Sequence, residues 1–530
     1  MPDRPFAVPS SPQPEPVLAR RVAIAVWTLI IAVALGSLGF FYAQDLTDLY
    51  GDALAHMEGA RRLFDSLTPG LGEIGSVWLP LFHLLAAPLA INNHLWRTGL
   101  AGSLVSIAAF CGAAWFLFRL GLEMNGNIAA GFVALAGVLL CPNMLYLAST
   151  PMTEPLAILW SIVTVYGLFR FHMSGQTRWV VGAALAAFLG TLSRYDEWYV
   201  LPFAALFVLL ARKDSWPERF YRALLFSLIA GTGPLLWILH NACRFGNPLE
   251  FYNGPDSAQA IYAHQVATTA FRYPTDGSFL ISMRYYLEDL KLVVGPWSLE
   301  LAALGLVAWA VDRHLRARRA AALLLLVPLP FYVQAMAHAG VALYVPTLIP
   351  HSYYNLRYGL EMLPAIVLVP SFLFSAALSQ KIRMGLLAGC LLILGAQGAF
   401  MMRKGARGLP VAKEAILNTP CNSPDEQALI HFFARNYDGQ TILMQSGEWP
   451  CVAPRLDIPY RKILDESNRK YWRQLPHGPQ KWVEWIVRGS GDPVDMLMRA
   501  YPDSFNDFEP VYRKTFTKQQ IITIYRRKSG

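Results

Sequence analysis

The sequence predicts a polytopic α-helical membrane protein of about eleven transmembrane helices, followed by a small extracytoplasmic α/β domain. Three observations predict it. Hydrophobic residues make up 54% of 530 and charged residues only 15%, a balance far from that of soluble proteins. The apolar residues are gathered into runs of roughly 14 to 23 residues, enough to cross a bilayer. From about Met402 the chain changes to Gly-Pro punctuation and short alternating runs, the pattern of a folded domain outside the membrane.

The N-terminal stretch MPDRPFAVPSSPQPEPVLARR, residues 1–21, is rich in proline and short of apolar residues. It reads as a disordered cytoplasmic tail rather than a signal peptide. The first apolar run, 22–42, has no small-residue cleavage site close behind it and is expected to stay as a spanning helix. Ten further runs centre near Val105, Val133, Ile162, Ala186, Leu206, Leu228, Leu304, Leu326, Ile366 and Leu391. The segment 77–91, VWLPLFHLLAAPLAI, carries two prolines and a histidine and is short for a span. The positive-inside rule decides its place. If it lies in the interface, then Arg170 with Arg178, Arg212 and Lys213 through Arg222, Arg313 through Arg319, and Lys381 with Arg383 all fall on the side of the N-terminus. If it crosses, they fall outside. The interfacial reading therefore holds, and it makes 43–96, 147–155, 241–294 and 338–358 outer loops. Arg403, Lys404 and Arg407, after the last span on the outer side, run against the rule.

These positions give a transmembrane region over 22–402 and an extracytoplasmic α/β domain over 403–530. In the latter, TILMQSG, WIVRG and QQIITIYRR read as strands and DEQALIHFFARNY as a helix. Six cysteines are too few and too scattered for a disulfide framework. Cys111, Cys141 and Cys390 sit in apolar runs, whereas Cys421 and Cys451 are placed to pair if their region is extracytoplasmic. The net charge of +9 says less than where the basic residues lie, and no nucleic-acid partner is expected.

No phosphate-cradling glycine loop, zinc-like Cys/His spacing or nucleophile elbow occurs. The absence of internal repeats counts against a transporter built from inverted halves. Chemistry must then come from the outer loops, where carboxylates beside a span are costly unless used. In the first loop, taken as one helix, Asp45, Asp48, Asp52 and His56 fall on a single stripe. Such a stripe supplies a general base, ligands for a divalent cation, or only a solvated face. Trp78, Pro80 and His83 follow in SVWLPLFH, where an aromatic belt at the interface is the plain explanation. Glu154 in STPMTEPL opens a span, a position that a helix dipole also favours. LSRYDEWYV sets Arg194, Asp196 and Glu197 in a very short turn, readable as a local salt bridge. HSYYNLRYGLEMLP places Tyr353, Tyr354, Asn355, Arg357 and Tyr358 ahead of a late span, suited to binding a lipid phosphate or to anchoring at headgroups.

Taken in order, GDALAHMEGARRL, WLPLFH, LWRTGLAGSL, MTEPL, LSRYDEW, RFGNPLEF and NLRYGLEMLP resemble the GT-C superfamily of polyprenyl-phosphate-dependent glycosyltransferases. The likeness is greatest to the bacterial branch related to protein O-mannosyltransferases and the lipid A aminoarabinose transferase. It covers roughly residues 22–400. The resemblance implies transfer of one sugar, with inversion, from a polyprenyl-phosphate donor to a glycan, lipid or protein acceptor at the outer face of a bacterial inner membrane. It implies Asp52 as base, with His56 and Glu154 as further catalytic candidates. Arg357, Tyr358 and Arg194 become donor-phosphate contacts, and Asp48, His83 and Asn355 secondary candidates. Many relatives have Asp-Glu at the first-loop site, whereas Asp52 is followed by Ala53, which leaves the second acid to Glu154 or Asp48. No cofactor is required, and the acidic stripe leaves a divalent cation open. The tryptophan-rich signature of oligosaccharyltransferases is missing. Competing classes are a transporter or lipid-linked-glycan flippase, which predicts charges near mid-span rather than at loops, and a non-catalytic envelope assembly scaffold acting through its C-terminal domain.

Overall fold

The computed structural model describes residues 20–312, 315–374, 378–516 and 520–528. The expected N-terminal tail lies outside them except for Arg20 and Arg21, which begin the first helix. The chain forms two compact units, one of 1–46 with 105–414 and one of 47–104 with 415–530.

The first unit is helical and belongs to an integral membrane protein. Among the described residues of the chain, seven helices are long and apolar enough to span, or nine if each of two bent pairs counts as one span. The sequence expectation of about eleven is thus not confirmed. Two of the expected spans, Thr177–Thr191 and Asp196–Leu210, are helices of only 15 residues. At about 1.5 Å per residue each falls short of the roughly 30 Å hydrocarbon core. Two others are broken rather than straight. Ile128–Leu139 and Pro142–Ala148 meet at 68°, and Phe279–Val293 and Pro296–Val311 at 110°. In both cases a proline opens the second half, ending the hydrogen-bond ladder of the first. Close helix contact depends on small residues: a Cβ on Gly167 would lie 2.9 Å from the Cβ of Ala183 on the next helix.

The second unit combines the first outer loop with the C-terminal region. Its sheet comprises β1 (Ile442–Leu443), β2 (Ile463–Leu464), β3 (Trp485–Gly489), β4 (Phe508–Thr515) and β5 (Ile521–Arg527). They are ordered β2-β1-β3-β5-β4. The β1 pairings with β2 and β3 are parallel, whereas β3 with β5 and β4 with β5 are antiparallel. The three expected strand motifs became β1, β3 and β5, and the expected helix runs Pro424–Asn436. Leu443, Leu464, Ile486, Val494, Phe505 and Phe508 form its core. The segment expected at the interface is the helix Pro80–Ala90, whose 11 residues make a span unattainable.

The helix Gly51–Arg62 is pinned to the C-terminal part of the same unit by Arg62, which is 3% exposed. Its guanidinium donates to Asp465 at 2.6 and 3.0 Å, to Glu73 at 2.9 Å, and to Glu58 and Ser446 at 3.1 Å. It also bonds Ser467. Burial raises the Glu58 carboxyl above its ordinary range. Burial would raise Asp465 too, but the Arg62 guanidinium outweighs it and holds that carboxyl below the usual range. Cys421 and Cys451 form a disulfide, against which Leu54 of the helix packs.

Candidate functional site

Sequence candidates from three separate loops of the first unit converge on one carboxylate. Glu154 opens the helix Glu154–Ser174 and is fully buried. Its Oε1 accepts from Arg357 Nε at 2.9 Å and from Arg194 Nη1 at 3.0 Å. One oxygen therefore orients both guanidiniums, a charge-assisted arrangement that fixes their planes. Thr153 Oγ1 accepts from the same Nη1 at 3.1 Å.

Arg194 sits in the short turn before the helix Asp196–Leu210. Its Nε donates to Asp196 at 3.1 Å and lies 3.3 Å from Glu361, while Nη2 donates to the Tyr332 hydroxyl at 3.0 Å. The local salt bridge expected from LSRYDEW is real, but it is one of several partners. Burial would lower the Arg194 pKa, yet Tyr332 and the carboxylates of Glu154, Asp196 and Glu361 hold it well above its ordinary value. The guanidinium stays charged.

Arg357 lies in the 3-10 turn Leu356–Met362 and is 4% exposed. Asn355, in the left-handed region at φ 58°, turns the chain into it. Glu414 accepts from the backbone N–H groups of Asn355 and Leu356 at 2.8 and 2.9 Å and from Arg357 Nη1 at 3.1 Å. The Asn355 side chain donates to the Ala342 carbonyl at 2.7 Å, so this candidate shapes the turn. The Tyr358 ring lies under both guanidiniums, 5.0 Å from that of Arg357 and 5.3 Å from that of Arg194. It stacks on Tyr332 at 5.0 Å, which stacks on Tyr286 at 5.4 Å.

One carboxylate oxygen of this cluster is left over. Glu154 Oε2 is buried without a hydrogen-bond partner among the described residues, whereas Glu361 Oε1 has the Arg194 ion pair. Asp289 abuts the Arg357 turn, since a Cβ on Gly359 would lie 2.6 Å from its Oδ2. Sequence reasoning missed Tyr332, Glu361, Glu414 and Asp289. Glu361 stood within a quoted motif, but the other three lie in segments that carried no pattern of their own.

The first-loop candidates lie in the second unit, and the predicted stripe is not formed. Asp45 belongs to the other unit and sits in a turn with φ 55°, Asp48 precedes the helix, and the helix starts only at Gly51. The broken backbone removes the shared face that would have aligned four ligands. No group of three or more His, Cys, Asp or Glu side chains among the described residues is arranged to hold a metal ion. Asp48 lies 3.6 Å from Arg455. Asp52 stands in the first helical turn, partly exposed. His56 and His83 are not at a wet interface. They are 1% and 0% exposed and hydrogen-bonded to each other at 3.1 Å, with Trp78 packed edge-on to His56 at 4.6 Å between ring centroids. The aromatic-belt explanation of His83 therefore fails, because its ring is enclosed.

Two solved structures are similar to this chain. One is the crystal structure of ArnT from Cupriavidus metallidurans bound to undecaprenyl phosphate, at TM-score 0.54 and 13% identity, covering 96% of this chain and 98% of that one. The other is the same protein in the apo state, at TM-score 0.53 and 13% identity, covering 95% and 98%. No protein-family model matches, and no curated protein does. The likeness shows that this chain shares the fold of those structures, the fold that the sequence resemblance implied.

Proposed function

We propose that the chain is an integral-membrane glycosyltransferase moving one hexosyl or pentosyl group from a polyprenyl-phosphate carrier to an acceptor hydroxyl on the extracytoplasmic side of a bacterial inner membrane. The observation that carries it is the pair of buried guanidiniums, Arg194 and Arg357, oriented by a single Glu154 oxygen. They occur in a fold shared with a protein solved with undecaprenyl phosphate. The Cys421–Cys451 disulfide supports an oxidising compartment for the second unit.

In this reading the acceptor oxygen attacks the anomeric carbon from the face opposite the phosphate. The new C–O bond forms as the bond to the phosphate oxygen breaks, giving inversion. Asp52 takes the acceptor proton as general base. The guanidiniums meet the negative charge growing on the leaving phosphate, and because they are already oriented they stabilise the transition state without reorganising. Tyr358 supports both from beneath. The carboxylates of Glu154, Asp196, Glu361 and Glu414 act as the frame that fixes the arginines. Turnover after chelation, with and without added Mg²⁺, checks whether a divalent cation contributes.

The test is Asp52→Asn in purified full-length protein with a labelled polyprenyl-phosphate sugar. Loss of transfer by about 10²-fold or more at normal expression is expected. Unchanged turnover would remove Asp52 from the role.

A further inference from the structure

His56 and His83 stand on the helices Gly51–Arg62 and Pro80–Ala90 of one unit, and their hydrogen-bond direction can be worked out. His83 Nδ1 lies 3.1 Å from the Leu79 carbonyl oxygen. A carbonyl only accepts, so His83 Nδ1 carries a proton. His83 is also fully buried, and burial lowers its pKa to about 4, so at neutral pH its Nε2 has no proton. That Nε2 lies 3.1 Å from His56 Nδ1, which must therefore be the donor. A neutral imidazole holding its proton on Nδ1 presents a lone pair at Nε2.

Space for this pair is provided by Gly59. A Cβ there would meet His83 Cδ2 at 2.9 Å and Nε2 at 3.2 Å. Glycine in a helix interior is unfavourable on its own account, so this one is explained by the close approach of the imidazole. Asp52 is four residues before His56 on the same helix. That spacing puts the two Cβ atoms about 5–6 Å apart on one face, and helical side chains lean toward the N-terminus.

We infer that His83 is a positioning residue: it fixes His56 as the Nδ1–H tautomer, so that His56 offers Nε2 as a proton acceptor on the Asp52 face of the helix. The proton that Asp52 takes from the acceptor hydroxyl passes to His56 Nε2, and the carboxylate is restored. The imidazolium so formed keeps its Nδ1–H bond to His83, and no other bond changes. The relay also accounts for how a lone acidic residue, followed by Ala53, functions without an adjacent second acid. The proton-transfer role rests on the glycosyltransferase reading, whereas the tautomer does not.

The experiment compares wild type, His83→Leu and His83→Gln as full-length protein, using ¹⁵N-histidine NMR and transfer kinetics together. In wild type, His56 should show the Nδ1–H pattern, and in His83→Leu it should lose it. Turnover in His83→Leu should fall about tenfold, part of the effect of general acid–base catalysis, with the donor KM within about twofold. His83→Gln, which keeps an acceptor, should recover most of it. An Nε2–H tautomer of His56 in wild type overturns the inference, as does equal turnover of the Leu and Gln variants. A wild type with the Nδ1–H pattern but no transfer leaves the hydrogen-bond assignment standing and refutes the glycosyltransferase reading instead.

Discussion

Arg62 in the second unit and Arg194 in the first each sit among at least three carboxylates, but the clusters differ in what is left over. Around Arg62, Ser446 and Ser467 bond Asp465, while Ser66 and Thr68 bond Glu73. Among the described residues, none of those carboxylate oxygens is buried without a hydrogen-bond partner. Around Arg194 and Arg357, Glu154 Oε2 has none, whereas Glu361 Oε1 has the Arg194 ion pair at 3.3 Å. A satisfied cluster is a clasp, and its energy is used up in holding elements together. In the other cluster a buried carboxylate oxygen remains that can accept only from a further donor. The same residue types thus serve stability in one place and, in the glycosyltransferase proposal, binding in the other.

The comparison breaks most readily at Arg62. Arg62→Met leaves Glu58, Glu73 and Asp465 buried without their cation, so unfolding stability should drop by about 3–5 kcal/mol. Thermal melts of the purified protein check this, and a melt close to wild type would show that the clasp is idle. Arg357→Gln should act the other way, lowering turnover by about 10²–10³-fold with a smaller change in melting temperature. Steady-state kinetics beside the same melts separate the two. Removing the crosslink as Cys421→Ser with Cys451→Ser frees a segment with a sequence separation of 30. It should cost about 3–4 kcal/mol by loop entropy, read as a lower denaturation midpoint compared with disulfide-intact wild type.

The smallest effect is on pH. His83 has a folded pKa of about 4 against an ordinary 6.5. Between those values the unfolded chain binds a proton that the folded chain refuses. Its contribution is therefore whole above pH 6.5 and declines on acidification to pH 4, by on the order of 3 kcal/mol at most. His83→Leu should flatten that part of the stability profile.

Much of this was legible in the chain. Hydropathy and basic clusters marked the membrane region, and the motifs around Glu154, Arg194 and Arg357 announced residues that the fold brings onto one another. What composition could not convey was length against bilayer thickness, as in the 15-residue helices Thr177–Thr191 and Asp196–Leu210. Nor could periodicity reveal that the backbone turns at Asp45, which dissolves the acidic stripe. The partners supplied from far along the chain, Glu414 to Arg357 and Asp465 to Arg62, are tertiary pairings with no local signature. The burial of His83 was hidden because an apolar helix with one imidazole looks the same whether it faces lipid or protein.

The most direct test of the central claim is equilibrium binding of undecaprenyl phosphate to the full-length protein in nanodiscs, wild type against the double variant Arg194→Gln, Arg357→Gln. Saturable binding by wild type and a Kd raised at least about tenfold in the variant, or 1.4 kcal/mol or more, is the predicted result. Equal affinity in the two proteins would contradict it.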